Sequence, residues 1–318
     1  MKTTVVIPNY NGVHFLKKCL ESVTKSTVKA SVIVVDNGST DGSVRWLNEK
    51  HPDVRLIAFS QNRGFCAAVN AGIRAADTPY VFLLNNDTEI APDCIARLEE
   101  VMEQEPGVFS AGAKLLSMQN RAVTDTAGDL YSAMGWAYAI GKGKPGKRYT
   151  KRRAVFSNCA AAALYRKDLL ERLGLFDENH FAYLEDVDIG YRARIFGYRN
   201  LAEPAAVVYH AGSGSSGSRY NVFKVTHSSR NNVYLIYKNM PFFQILLNLP
   251  FLLAGFLGKL VFFWKKGFGK VYAKGLGAGV RLCLAPKGRR RKVKFMWKNL
   301  KNYGKIQLEL WENVFRRF

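Results

Sequence analysis

Short apolar runs alternate with longer amphipathic ones over the first hundred residues. Thr3–Pro8, Ser31–Val35, Val54–Phe59 and Tyr80–Leu84 are compact runs rich in β-branched and apolar residues, and each reads as a strand. Between them, Val13–Ser22 repeats its apolar positions at helical spacing, and Ser43–Lys50 follows the cap-type residues Ser39–Asp41. Cys66–Ala76 is a helix of small residues, and Pro92–Gln104 a helix with proline near its start. Strands this short and continuously apolar, separated by helices, predict a parallel sheet covered on both faces. Ligands of such sheets bind beyond the carboxyl ends of the strands, so the polar residues there are the candidates for chemistry.

From about residue 106 to 221 the rhythm loosens. Gly141–Arg153 reads as a basic loop, Arg166–Leu173 and Asp186–Phe196 as helices, and Ala205–Tyr209 as a strand. Gly212–Ser218 is a Gly/Ser run whose composition predicts mobility. No repeat of 20–50 residues is visible. The character changes at Pro241. Phe242–Gly258 is uncharged over 17 residues, although Gln244, Asn248 and Pro250 interrupt it, and Lys259, Leu260–Trp264 and Lys265-Lys266 follow. That is short of the ~20 apolar residues of a spanning helix. An interfacial or re-entrant segment is expected, with a buried helix as the structural alternative.

Composition sharpens this division. The 318 residues are 48% hydrophobic, too apolar for a disordered chain and enough for a large α/β domain with an appendage. The net charge of +22 is unevenly spread. Residues 1–221 carry 27 Lys and Arg against 23 Asp and Glu, whereas residues 222–318 carry 20 against 2. The expected organisation is a nearly balanced body, 1–221, joined to a strongly basic, largely helical region, 222–318. Five scattered cysteines without a C-x-x-C pair suit a reducing compartment and argue against a disulfide framework or zinc site. The first strand begins at Thr3 with no signal-type apolar region before it, so a cytosolic start is expected and the N-x-S/T matches at Asn37 and Asn86 are read as chance.

Four constellations carry candidate chemistry. Pro8-Asn9-Tyr10-Asn11-Gly12 ends the first strand, and Asp36-Asn37-Gly38-Ser39 the second. A strand-end carboxylate followed by Asn-Gly-Ser offers an acceptor and backbone donors suited to a nucleotide base and ribose; the bland reading of Asp36 is a turn or cap residue. Asn85-Asn86-Asp87 follows the fourth strand, where one Asp can hold a hard divalent cation against phosphates. Glu185-Asp186-Val187-Asp188 packs three carboxylates into four residues between aromatic neighbours. They repel one another unless a cation or a proton-transfer role justifies them, although acidic residues also favour a first helical turn. His210 ends a strand beside the Gly/Ser run, structural by default but placed to ligate a metal or phosphate.

Their order and spacing resemble the family 2 glycosyltransferases of GT-A fold, specifically the bacterial rhamnosyltransferase-like branch. The matches are V-V-I-P-N-Y-N-G, V-V-D-N-G-S-T-D-G-S, N-R-G-F-C-A-A-V-N-A-G-I at Asn62–Ile73, L-L-N-N-D-T, and G-L-F-D-E continuing through Y-L-E-D-V-D-I-G-Y-R-A-R. They cover roughly residues 3–215. The resemblance implies a Rossmann-like mixed sheet with helices on both faces and a membrane-associating segment after it. It places Asp36 on the nucleotide base, the Pro8–Tyr10 backbone in the same pocket, and Asn62 and Gly64 with the donor. The family's D-x-D falls on Asn85-Asn86-Asp87, so Asp87 is left as the main ligand of Mg²⁺ or Mn²⁺. Glu185-Asp186 matches the Glu-Asp motif with Asp186 as base, and His210 the phosphate- or metal-contacting His.

The implied reaction is inverting transfer from a nucleoside diphosphate sugar to a lipid-linked or saccharide acceptor of cell-envelope polysaccharide. The branch suggests dTDP-rhamnose first, then UDP-galactofuranose or another UDP-sugar; acceptor choice is left to residues 128–156 and the tail. Burial near Phe181 and Tyr183 and repulsion from Glu185 and Asp188 are expected to raise Asp186, with Arg192 opposing. Two other readings compete. A nucleic-acid-binding protein would explain the basic tail but leave the acidic motif without a role. An inert tail would leave Phe242–Trp264 as an aggregation liability. Peripheral attachment to the cytoplasmic face of a membrane, through apolar residues and anionic lipids, fits best.

Overall fold

The computed structural model describes residues 1–212 and 220–316. The Gly/Ser run expected to be mobile lies, but for Gly212, outside them. In chain order the elements begin β1 (Thr3–Asn9), α1 (Val13–Thr24), β2 (Ser31–Asp36), α2 (Ser43–Lys50), β3 (Arg55–Ala58), α3 (Phe65–Ala75), β4 (Tyr80–Leu84), β5 (Thr88–Ile90) and α4 (Cys94–Gln104). They continue with β6 (Val108–Ser117), β7 (Thr124–Thr126), β8 (Asp129–Tyr131), β9 (Ala137–Ala139), β10 (Arg153–Val155), β11 (Ala162–Arg166), α5 (Lys167–Arg172), α6 (Glu185–Ile195) and β12 (Arg199–His210). The last part is helical: α7 (Val222–Asn239), α8 (Phe242–Lys265), α9 (Gly269–Leu284), α10 (Pro286–Arg289) and α11 (Leu300–Phe315).

The main sheet runs β10-β12-β6-β11-β4-β1-β2-β3, with β5 and β7 pairing at its side. Strands β3, β2, β1 and β4 are parallel, as the alternating pattern predicts. The wholly parallel expectation fails beyond them. β11 inserts antiparallel between β4 and β6, and its pairing with both satisfies the backbone groups of these buried strands. The sheet is therefore mixed. Period-2 alternation divides its faces: Val5, Ile7 and Val34 point with α1 and α4 into one core, while Val6, Ile33 and Val35 point with α3, α5 and α6 into another.

β12 runs twelve residues rather than the five expected, with a register shift between Glu203 and Val207 that contains Pro204. Proline cannot donate to the ladder, and the irregularity absorbs it. The strand resumes beyond it and delivers His210 to the sheet's carboxyl edge.

A third core lies beside the sheet and draws from both sides of residue 221. Tyr131, Phe156, Val187 and Tyr191 pack with Leu235 and Ile236 of α7, Leu252 of α8, and Tyr303, Ile306 and Leu310 of α11. Hydrogen bonds to the backbone stitch the same seam, from Ala133 N–H to Leu310 O at 2.8 Å and from the Asn313 side-chain Nδ2 to Tyr131 O at 3.0 Å. All five cysteines are free thiols.

α8 is longer than its uncharged stretch. Lys259 does not end it, because the helix continues through that residue to Lys265, and it carries Pro250 in its interior. By length and apolar content it could cross a membrane, with mean hydropathy 2.0 over its best window. Its buried positions are Gln244, Asn248, Leu252, Gly255 and Phe263, one face of the helix. Asn248 and Gln307 exchange amide hydrogen bonds at 2.7 and 2.8 Å, Trp311 Nε1 donates to Asn248 Oδ1 at 3.1 Å, and Tyr191 OH bonds Gln244 Oε1 at 2.8 Å. Leu246, Leu247, Leu249, Leu253 and Leu257 face outward. The helix is inside out.

Candidate active site

The ends of β1, β2 and β4 meet in one buried hydrogen-bonded chain. Asn9 Nδ2 donates to Asp36 Oδ2 at 2.8 Å, Asn86 Nδ2 donates to Asn9 Oδ1 at 2.7 Å, and the Ser39 backbone N–H donates to Asp36 Oδ1 at 2.8 Å. Gly12 leaves room for it, since a Cβ there would lie 2.1 Å from Asn86 Nδ2. Next to this chain, Asn37 Nδ2 bonds Asn62 Oδ1 at 3.0 Å and Gly64 O at 3.2 Å, while Asn62 Oδ1 also accepts the Gly64 N–H. Gly64 has φ +88°, and a Cβ would strike the Phe181 ring at 2.6 Å. Tyr10 is 46% exposed at the rim, and the Asn85 side chain makes no hydrogen bond among the described residues.

Asp87 and His210 face one another. The strand pairing His210↔Thr88 brings His210 Nε2 to 3.5 Å from Asp87 Oδ1, a buried oxygen without a hydrogen-bond partner. Behind the imidazole, Nδ1 lies 2.7 Å from Asp125 Oδ2, and Asp125 Oδ1 takes Lys142 Nζ at 2.6 Å. Burial disfavours the imidazolium, but the hydrogen bond to Asp125 and the charges of Asp87 and Asp125 outweigh it and raise His210 to about 9. Asp125 escaped the sequence reading. Its signal is weak: one Asp between two threonines on a three-residue strand.

The acidic motif sits at the head of α6. The Ala160 N–H reaches the Asp186 carboxylate, and the neighbouring Ala161 O accepts the Asn85 N–H at 2.9 Å, so the α6 head adjoins the Asn85–Asp87 turn. Burial raises Asp186 to about 6, with its own and the Val187 and Ala160 N–H groups restraining the shift. Burial, then the charge of Asp186, lifts Glu185 to about 8. Arg192 does not oppose Asp186. It pairs with Asp188 at 2.7 Å, and Lys238 from α7 reaches Asp188 and Asp177 at 2.8 Å each. Asp188 is the structural carboxylate of the three.

Asp129 is the second residue the sequence reading missed. The bridge Asp129↔Ser157 sets β8 beside residues 157–159, and the carboxylate oxygens of Asp129 and Asp186 and Cys159 Sγ lie within 4.8 Å of one another. Burial and the charge of Asp186 push Asp129 well above the carboxylate range, and burial pushes the Cys159 thiol up likewise. A protonated acid and a neutral thiol are poor ligands for a hard cation; at His210 the carboxylates of Asp87 and Asp125 that favour a proton would equally favour a cation in its place.

The backbone before Glu185 is strained. Phe181, Tyr183 and Leu184 have φ of +63°, +72° and +66°, each costing of order 1–3 kcal/mol for such residues. α7 holds them there. Asn231 Nδ2 is shared among the carbonyls of His180, Ala182 and Tyr183 at 2.7–2.9 Å, and Arg230 NH2 bonds those of Asn179 and His180.

The family profile described as Glycosyl transferase family 2 matches residues 4–174, more than half the chain. The chain belongs to this family. Among curated relatives, the enzyme is 27% identical over 259 residues to the N-acetylglucosaminyl-diphospho-decaprenol L-rhamnosyltransferase of Mycobacterium tuberculosis, covering 73% of this chain and 83% of that one. The mannosyltransferase PcManGT of Pyrobaculum calidifontis, solved with GDP-Man and Mn²⁺, has TM-score 0.55 at 20% identity over 97% of this chain and 84% of its own. GalNAc-T7, solved with UDP, GalNAc and Mn²⁺, has TM-score 0.61 at 17% identity over 75% of this chain, which spans about half the length of that protein (48%). The fold of this glycosyltransferase is GT-A, a Rossmann-like mixed sheet with helices on both faces.

Proposed function

We propose that this glycosyltransferase moves a sugar with inversion from a nucleoside diphosphate sugar, dTDP-rhamnose foremost, to a lipid-linked or saccharide acceptor of bacterial cell-envelope polysaccharide. The carrying observation is a carboxylate at about 6, Asp186, at the head of α6 next to the Asn85–Asp87 turn. At neutral pH it is ionised, unlike Glu185 at about 8. Asp186 takes the proton of the acceptor hydroxyl as its oxygen attacks the anomeric carbon. The bond to the diphosphate breaks, and its electron pair leaves on the nucleoside diphosphate. Asp36 and the Pro8–Tyr10 backbone hold the base and ribose, with Asn62, Gly64, Asn85 and Asn86 shaping the rest of the donor site. The rhamnosyl donor is favoured by the mycobacterial relative. A panel of nucleotide-sugars tests it: dTDP-rhamnose should raise the melting temperature most, and a larger shift with a UDP-sugar would replace it.

Asp87 and His210 fit a divalent cation. The orphaned Asp87 Oδ1 and His210 Nε2 converge; Asp125 accepts from Nδ1, and the Nε2 proton that His210 holds up to about pH 9 would give way to a cation, leaving Nε2 as the ligand atom. Mg²⁺ or Mn²⁺ bound there supplies positive charge against the leaving diphosphate. Asp87→Ala should raise the donor KM at least about tenfold and remove the response to chelator. A variant as active in chelator as the native enzyme is in Mn²⁺ would end the metal assignment.

We assign residues 1–221 the chemistry and 222–318 docking on the cytoplasmic face of the membrane, although the two share a core. The support is α8, whose Gln244 and Asn248 turn inward and whose Leu246, Leu247, Leu249, Leu253 and Leu257 turn outward. Lys265, Lys266, Lys270 and Lys274, with the run from Arg289 to Lys292, add charge for anionic lipids at ~1 kcal/mol each near the surface. Cations mixed with exposed Leu, Phe and Trp suit a lipid surface better than a nucleic-acid backbone. Replacing Leu246, Leu253 and Leu257 by Asp should release the protein from membranes with melting temperature and donor binding kept. High salt alone should detach the native protein only partly, because it leaves the apolar contact intact. Persistent pelleting of the triple variant would refute docking through α8.

A further inference from the structure

A cavity of about 240 Å³ lies away from the active site, between the carboxyl ends of α5 and α6, the end of α7, and residues 291–296. Its polar lining is cationic throughout: Arg172, Arg192, Lys238, Arg291 and Lys294, with no carboxylate among the lining residues. Arg192 and Lys238 are answered from behind by Asp177 and Asp188. Arg172, Arg291 and Lys294 are not; among the described residues none has a carboxylate within 4.0 Å, and Arg172 bonds only the Tyr198 hydroxyl, at 3.1 Å. The helix-end carbonyls that would repel an anion are covered, since Arg192 takes Leu173 O and Leu175 O and Arg291 takes Gly174 O. The Val293 N–H bond to Lys238 O at 2.9 Å fixes the 291–296 segment against α7. Three like charges held around one opening repel one another unless an anion joins them.

Three aromatic residues, Phe243, Phe295 and Trp297, lie beside the lining residues without lining the cavity themselves. Phe295, between lining residues Lys294 and Met296, stacks edge-on with Phe243 of α8 at 5.4 Å and with Trp297 at 5.3 Å. Trp297 and Phe242 are 79% and 77% exposed. An exposed tryptophan such as Trp297 suits a headgroup boundary, and an exposed Phe242 the apolar layer beneath it. The cavity thus opens beside the first turn of the inside-out helix.

We propose that this cavity is a phosphate-ester site that takes the headgroup phosphate of an anionic lipid. The lipid source rests on the docking reading; the phosphate chemistry does not. Guanidinium forks and an ammonium satisfy phosphate oxygens by charge-assisted hydrogen bonds, and the space exceeds the ~30 Å³ of a single water several times over.

Two arms test it on the full chain. In the first, vesicles of phosphatidylcholine with and without phosphatidylglycerol are offered to the native protein, to an Arg172→Gln/Arg291→Gln/Lys294→Gln variant, and to a Lys265→Gln/Lys266→Gln/Lys270→Gln control of equal charge change. The cavity variant should lose about tenfold more of its phosphatidylglycerol-dependent affinity than the control, as expected for lost hydrogen bonds to a charged group. In the second, inorganic phosphate should raise the melting temperature of the native protein and of the control but not of the cavity variant. A phosphate response without the vesicle difference keeps the site and assigns it a soluble phosphate. The vesicle difference without a phosphate response keeps the lipid. Equal losses on vesicles together with no phosphate response overturn the proposal, whereas failure of all forms to bind vesicles overturns docking and leaves the second arm to decide the site. Lys294→Gln alone, at an exposed position with no hydrogen bond or ion pair among the described residues, repeats both arms should the triple variant misfold.

Discussion

Asp186→Asn should cut kcat by ~10²–10⁴-fold while donor binding stays near native, the loss expected when a general base is removed. The amide keeps the shape and can still accept the Val187 N–H, which bonds Asp186 Oδ1 at 2.7 Å, but it cannot take a proton. The native pH profile provides the second readout. A base must be ionised to act, so kcat should fall as pH drops through about 6, where burial places Asp186. The variant's residual rate should lose that limb. Glu185 titrates near 8 and is protonated at neutral pH, so Glu185→Gln should leave the acid limb in place. Retention of more than about a tenth of native turnover by Asp186→Asn would transfer the base role elsewhere.

Asp188→Asn should cost the fold ~3–5 kcal/mol, the range for breaking a buried ion pair from one side. Asp188 is fully buried and accepts from Arg192, Lys238 and Asn239, so its loss leaves Arg192 without a carboxylate and Lys238 with Asp177 alone. Burial opposes its charge, yet Arg192 and Lys238 hold it far below the ordinary carboxylate range. A depressed carboxylate stabilises above its unfolded value of ~3.9 and loses that contribution as pH falls below it. Chemical denaturation across pH separates the effects. The native protein should weaken below pH ~4, and the variant should lack that part of the dependence. A change under about 1 kcal/mol would mean the network is not the tie between α6 and α7 that its distances describe.

The βα half of the chain was legible because β1, β2 and β4 are apolar on both faces and turns rich in glycine and polar residues separate the strands from short helices. β6 was not. It opens Val-Phe-Ser-Ala-Gly-Ala, where small residues hide the alternation, and the small size is required: a Cβ on Gly112 would lie 2.2 Å from Asn158 Oδ1. On α8 the sequence misleads in a different way. Gln244 and Asn248 look like breaks in an apolar segment, whereas they are its protein-facing side, paired with Tyr191, Gln307 and Trp311 across gaps of 53 to 63 residues. Motif residues at strand ends could be read from position alone, because strand ends gather at one edge of a parallel sheet. Asp125 and Asp129 could not, since each reaches the site through pairings of three-residue strands or isolated bridges. The three-carboxylate motif likewise needed coordinates to divide its labour. Asp188 is neutralised by a lysine 50 positions away, which no local pattern announces.

The seam between α8 and α11 also sets an order of events during synthesis. Asn248 finds Gln307, and the backbone of residues 131–133 finds Leu310 and Asn313, only after α11 has left the ribosome. From the end of α8 at Lys265 to the end of α11 at Phe315 the chain grows by 50 residues, about 3–10 s at ~5–20 residues per second. Throughout that interval the nascent chain displays a 24-residue apolar helix whose Asn248 lacks its α11 partners, above a catalytic body whose third core is still open. The last helix is thus the closing piece of the enzyme as well as its C-terminal element among the described residues. A slow arrest in translation between 265 and 300 should expose α8 to targeting factors and lipid, whereas an arrest after α11 has cleared the ribosome should not.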